Sequence, residues 1–283
     1  MEGTSSTEHE PELVARDALR GITVGLSVSD SADLSRLGLT PAHCELAVAE
    51  LARAIFLAGG TIVYGGRLVP SGFTDILIDE LRRYRDDRDA LILCVPESEH
   101  RRFTNDELAR RERELHASAE LVCLDATGEP INITTRPDGN VSTDISAALT
   151  GMRRHITGRC DARVIVGGKL RGFQGTMPGV IEEAILSIQA GQPLYIAGGF
   201  GGAAAAVARA LGRQDNPWYP PDFPDGADEQ EAALAQLRAA ATAMPPPADG
   251  LSDSERHRLA ATHRPGDIAA LVVTGLGRFA AHR

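Results

Sequence analysis

Val164-Ile165-Val166-Gly167-Gly168-Lys169-Leu170-Arg171-Gly172-Phe173-Gln174-Gly175-Thr176-Met177-Pro178-Gly179-Val180-Ile181-Glu182-Glu183 decides the fold. A short β-branched run, Arg163 to Val166, reads as a strand and stops at a glycine pair. A loop then leads to Pro178, whose fixed φ suits the first turn of a helix. Val180, Ile181, Ala184, Ile185 and Ile188 recur at helical spacing, so the helix is predicted over Pro178 to Ala190. A strand followed by a helix that must return to another strand is the unit of a parallel sheet.

The same unit repeats on both sides. Strands are predicted at Ile22–Ser29, Thr61–Tyr64, Ala90–Val95, Leu121–Leu124 and Pro193–Ala197. Helices are predicted at Pro41–Leu57, Phe73–Arg85, Asn105–Ala119, Thr143–Thr157 and Gly202–Leu211. Ala126–Asn140, rich in Gly, Pro, Asp and Asn, reads as a loop or a β-hairpin carrying Ile131–Thr134. This alternation predicts an α/β fold: a Rossmann-like open, mainly parallel sheet with helices on both faces. Beyond Gly212 the pattern changes. Asn216–Asp225 is a Pro-rich loop carrying Trp218 and Tyr219, Pro245–Pro247 separate two helical stretches, and Ala269–Val273 reads as a last strand. The predicted organisation is a polar extension over 1–20, a nucleotide-ligand domain over 21–212, and an extension over 213–283 packed on or continuing that domain. Trp218, Tyr219 and Phe223 read as a core plug, or as rings for an adenine or a second subunit.

Composition narrows the function classes. A chain of 283 residues with 43% hydrophobic content builds one sizeable core, and 4% aromatics leave that core to Ala, Val, Leu and Ile. The net charge of -10 argues against general nucleic-acid binding. Cys44, Cys94, Cys123 and Cys160 form no Cys-x-x-Cys pair and read as buried thiols in a reducing compartment. Met1–Glu12 is polar, and no apolar run approaches the roughly 20 residues needed to span a bilayer, so a cytoplasmic protein with no membrane partner is expected. The eight histidines sit in no zinc spacing, and no metal or cofactor is called for.

In an open parallel sheet, ligands bind beyond the carboxyl ends of the strands. The residues there are Ser27, Ser29 and Asp30; Gly65, Gly66 and Arg67; Gly167, Gly168 and Lys169; and Gly198, Gly199 and Phe200. Glycine lets backbone N–H groups approach an anion, and a following helix adds its positive end. Tight turns alone also explain such pairs. Lys169 and Arg171 are candidate phosphate cations, or ordinary solvated loop cations; Gly172 and Thr176 accompany them. Glu182 and Glu183 suit a helix first turn through the dipole alone. Glu183 is preferred as a ligand for ribose hydroxyls or as an acid/base group. There is no Gly-x-x-x-x-Gly-Lys-Ser/Thr loop, no Gly-x-Gly-x-x-Gly after the first strand and no Gly-x-Ser-x-Gly elbow.

From Gly21 to Gly212, the order of these features resembles the SLOG superfamily, named for the SMF/DprA and lonely-guy proteins. Lonely-guy phosphoribohydrolases carry Pro-Gly-Gly-x-Gly-Thr-x-x-Glu. Gly167, Gly168, Gly175, Thr176 and Glu183 look like its spread-out counterpart, with Val166 in place of the proline and Lys169 and Arg171 on an insertion. The insertion is similar to the ligand-sensing branch, which includes the sensor domains of Thoeris antiphage effectors and of TRPM channels. Tyr195–Gly202 looks like that branch's second ligand-facing turn. The resemblance implies sensing of an ADP-ribose-like or cyclic nucleotide messenger in antiphage signalling. A homo-oligomer is expected because soluble α/β proteins of this sort commonly form symmetric assemblies, and a lone sensor needs an effector protein encoded separately. The alternative it carries is a nucleotide phosphoribohydrolase or N-glycosidase of lonely-guy type with Glu183 catalytic; a vestigial pocket is a weaker third.

Overall fold

The computed structural model describes residues 15–68, 72–85, 88–115, 119–136, 144–214, 219 and 222–283. In chain order the elements begin with β1 (Thr23–Ser29), α1 (Pro41–Leu57), β2 (Thr61–Gly65), α2 (Phe73–Tyr84), β3 (Leu91–Val95), α3 (Glu97–His100), α4 (Asn105–Leu115) and β4 (Glu120–Cys123). They continue with α5 (Ile145–Arg159), β5 (Ala162–Gly167), α6 (Gly179–Gln189), β6 (Leu194–Ala197), α7 (Gly202–Ala210), α8 (Glu231–Ala243), α9 (Asp253–Ala261) and α10 (Pro265–Ala281).

The six strands form one sheet in the order β4-β3-β2-β1-β5-β6, and every pairing is parallel. The α/β reading holds. β3, β5 and β6 are buried along their whole length, as strands covered on both faces must be. On one face Val24, Leu26, Val28, Val164 and Val166 pack with α1, α2 and α10. On the other, Val63, Ile92 and Cys94 meet α5, while Ile165, Leu194 and Ile196 meet α6, α7 and α8. The helices after Gly212 therefore share the cores of the sheet. All four cysteines are buried and free.

One expectation needs correction, and one open alternative is decided. Ala269–Val273 is not a last strand but the middle of α10. Pro265 opens that helix, and Ile268, Val272 and Leu276 bury one stripe on α1, so helical spacing overrides the local β-branched run. In 126–136 a single antiparallel bridge, Leu124 to Pro130, and a short 3-10 turn at Ile133–Thr135 stand where a hairpin was one option. The Asn132 side chain accepts from the Thr134 N–H and tightens that turn at the expense of a ladder. Trp218 and the extension before residue 15 lie outside the described residues. Among the described residues, no helix is long and apolar enough to cross a membrane.

Candidate functional site

From β1 the sheet grows one way through β2, β3 and β4, and the other way through β5 and β6. The strand order thus reverses between β1 and β5, and the crevice beyond their carboxyl ends is where such sheets take ligands. Ser29 and Gly167 lie side by side at this point. Gly168 has φ 101° and donates its N–H to the Ser29 carbonyl at 2.9 Å, while its own carbonyl accepts from the Ala203 N–H at 2.9 Å. A Cβ there would stand 2.8 Å from Val180 and 2.9 Å from Ala203. Gly168 is thus a joint that draws β1, α6 and α7 together.

Behind the joint lies a residue that sequence reading placed only at the start of a strand. Arg163 of β5 has 0% exposure. Its Nε donates to Ser187 Oγ at 2.6 Å, and Nη1 donates to Ser27 Oγ at 2.9 Å and to Glu183 Oε1 at 3.3 Å. Nη2 donates to Thr157 Oγ1 at 2.9 Å and to the Cys160 sulfur at 3.9 Å. Every guanidinium N–H thus has an acceptor, which is what a buried cation requires. Gly25 leaves the room: a Cβ there would lie 3.3 Å from Arg163 Cζ. Arg163 therefore brings together Ser27 and Glu183, two of the predicted site residues. Among the described residues nothing donates to the other Glu183 oxygen, Oε2. The signal for Arg163 was present in the sequence, an arginine inside an apolar run, since such a charge is buried only with a partner.

A second buried pair stands at the start of α6. Arg153 Nη1 donates to Glu182 Oε2 at 2.5 Å, and Thr150 Oγ1 donates to Glu182 Oε1 at 2.6 Å. The guanidinium lies against Gly175 and Gly179, and a Cβ at Gly179 would collide with it. Arg153 and Glu182 thus stand as an ion pair beside the N-terminal N–H groups of α6, and the positive end of the helix is what the pair leaves for an anion. Lys169 is exposed next to it and forms no ion pair among the described residues; Gly172 and Thr176 are exposed on the same loop.

Asp30 and Arg67 are exposed at the rim. Gly65 packs on Met152, and Gly66 on Thr74, whose hydroxyl donates to the Arg67 carbonyl. Tyr64 ties this side to Glu183 electrostatically. Burial above all, then the charges of Glu183 and Asp30, push its phenol pKa up, against the opposing pull of Arg67. The turn after β6 has another use. Gly199 has the backbone of Thr262 where a side chain would stand, Gly198 has that of Ala260, and Phe200 is fully buried. The N-terminus of α7 is already filled by a carboxylate of the chain, for the Gly202 N–H donates to Asp33 Oδ2 at 2.8 Å. Arg171 is paired with Asp225 and Glu229. The rings of Tyr219 and Phe223 stack at 4.2 Å, Phe223 is buried, and the Tyr219 hydroxyl donates to the Ala261 carbonyl.

The site thus offers the N–H end of α6, with the Arg153–Glu182 pair beside it, and one carboxylate oxygen at Glu183. No curated protein matches the chain. The strand order, the Gly167–Gly168 joint and the two glutamates that open α6 all lie within residues 18–249, which the model of the SLOG cluster2 family matches, and the chain belongs to that family.

Proposed function

We propose that the chain binds a nucleotide-derived small molecule, ADP-ribose-like or a cyclic nucleotide messenger, in the crevice between β1 and β5, and that it acts as a sensor. The observation that carries this reading is Arg153, whose guanidinium fills the space left by Gly175 and Gly179 at the head of α6. Helix N–H groups suit a phosphate, and Lys169, exposed on the loop before them, is a cation with no ion pair among the described residues. The Glu183 Oε2 oxygen suits a ribose hydroxyl, and Ser29, Asp30 and Arg67 line the way in.

The hydrolase reading finds less support. Each of the two carboxylates at the head of α6 has an oxygen committed to a buried guanidinium. One free oxygen, at Glu183, remains to both orient the sugar and activate water. As a sensor, the chain passes the binding event to an effector protein or to a second copy of itself; light scattering well above 30.0 kDa supports the second route.

The test is a thermal-shift screen with AMP, ADP, NAD, ADP-ribose and cyclic ADP-ribose isomers, followed by chromatography of each incubated ligand. A ligand bound only to the folded chain raises Tm by mass action. A stabilising ligand recovered intact, with the shift lost in Arg153→Ala, is the expected result. Free base plus ribose phosphate makes the protein an enzyme. No shift with any of them overturns the reading.

A further inference from the structure

Between α7 and α8, segment 222–230 returns to the loops that follow β1 and β5. Asp222 pairs with Arg36 at 2.6 Å, and the Asp225 N–H donates to Asp33 Oδ1 at 3.0 Å. On the β5 side, Arg171 Nη1 donates to Asp225 Oδ2 at 2.8 Å, while Arg171 Nε and Nη2 grip the Glu229 carboxylate. Gln230 Nε2 donates to the Leu170 carbonyl at 2.9 Å, and a Cβ at Gly226 would lie 3.3 Å from Arg171 Cζ. The segment carries Asp222, Asp225, Asp228 and Glu229, so it is an anionic strap that meets the cationic loop after β5, with Lys169 and Arg171, and the single cation Arg36 beyond β1.

Two features make this strap releasable. The side chains of Arg171, Asp225 and Glu229 are 51%, 38% and 55% exposed, and ion pairs that solvent reaches hold weakly and are screened by salt. Arg171 also stands on the same loop as Lys169, between Gly168 and the head of α6. A phosphate-bearing ligand in the crevice offers that guanidinium a denser anion than a carboxylate.

We propose that segment 222–230 is an internal occupant of the site, an acidic strap that a phosphate-bearing ligand displaces from Arg171. This rests on the reading above. The strap also reaches Asp33, whose fully buried carboxylate holds the head of α7. Its release therefore carries the binding event to α8, directly after it, and gives a sensor an outward signal.

The test uses the full chain, ADP-ribose as probe and two variants, the double substitution Asp225→Asn/Glu229→Gln and Arg171→Ala. Trp218, the single tryptophan, precedes Asp222 by four residues in the sequence, and its emission is the second readout. The double variant is expected to bind ADP-ribose roughly three- to tenfold more tightly, because the internal competitor is weakened. Its ligand-free emission matches that of the saturated natural chain. Arg171→Ala shows no such gain, since it removes the contested cation. The proposal is overturned if the natural chain binds ADP-ribose but the double variant binds no tighter, if emission is unmoved by ligand, or if Arg171→Ala gains as much. If neither the natural chain nor the double variant binds ADP-ribose or any other ligand of the screen, the functional reading falls and the proposal with it. Binding by the double variant alone supports both.

Discussion

Arg163 shows how much of the site hangs on one residue. Its partners are Ser27, 136 residues away, and Glu183, 20 residues away, so the cluster exists only once β1, β5 and α6 are assembled. Replacing it by Met keeps bulk but leaves Glu183 buried without its counter-ion. About 3–5 kcal/mol of stability is expected to go, measured by urea unfolding. Glu183→Gln costs a comparable amount, because the fully buried Arg163 keeps its charge and loses its counter-ion. Burial pushes the thiols of Cys44, Cys94 and Cys123 up to about 12. Native protein at neutral pH should therefore consume an aromatic disulfide reagent slowly, and rapidly only after denaturation. Ser27 and Glu183 were legible as candidates because position after a strand, or at a helix start, is a local property. Their common partner was not, since nothing local says which strand faces which helix.

Among elements, α3 and α10 gave the least away in sequence. α3 matters through His100, a buried residue whose Nε2 lies 2.9 Å from the Leu124 carbonyl and whose Nδ1 lies 3.0 Å from Arg136 Nη1. Arg136 also donates to the His100 and Phe103 carbonyls and to Asn105. An Arg can only donate, so Nδ1 accepts and the ring is neutral. Burial, aided by the charges of Arg136 and Arg101 and opposed by the Leu124 bond and Glu97, lowers its pKa below the ordinary 6.5. The unfolded chain then binds the proton more readily than the folded one. Stability is full above pH 6.5 and falls as pH drops from there toward the lowered folded value. Urea midpoints between about pH 5 and 8 should show this slope, shallower in His100→Gln; His155, shifted the same way by burial, supplies a remainder. α10 depends on packing instead. Ile268 is fully buried against α1, and Ile268→Ala should cost about 2–4 kcal/mol.

At the scale of the molecule, the strand order matters more than any motif. It places the reversal between β1 and β5 and so decides which glycine turns face the crevice. The turn after β5 meets the crevice, while the turn after β6 is covered by 260–262 and capped by Asp33. The stretch after Gly212 belongs to the same cores: α8 lies on α6, and α10 on α1. A chain ended at Gly212 should consequently lose cooperative unfolding, seen as a broad, low-enthalpy transition in calorimetry, because the stripe of α1 that meets α10 is left bare. A sharp transition there would make 213–283 an accessory.

What the sequence determined by itself was the class of fold, with glycine turns at the carboxyl ends of its strands. Period 2 and period 3.6 patterns and glycine stops are local, and alternating strand and helix leave few ways to pack. The boundaries of α1 were legible to the residue, from Pro41 at its start to the glycines after it. The tertiary structure alone decided that Arg163 unites Ser27 and Glu183, that Arg153 stands at the head of α6, and that Arg171 is held by an acidic segment far along the chain. Those are contacts between residues remote in sequence, and they are set by which elements the core brings face to face.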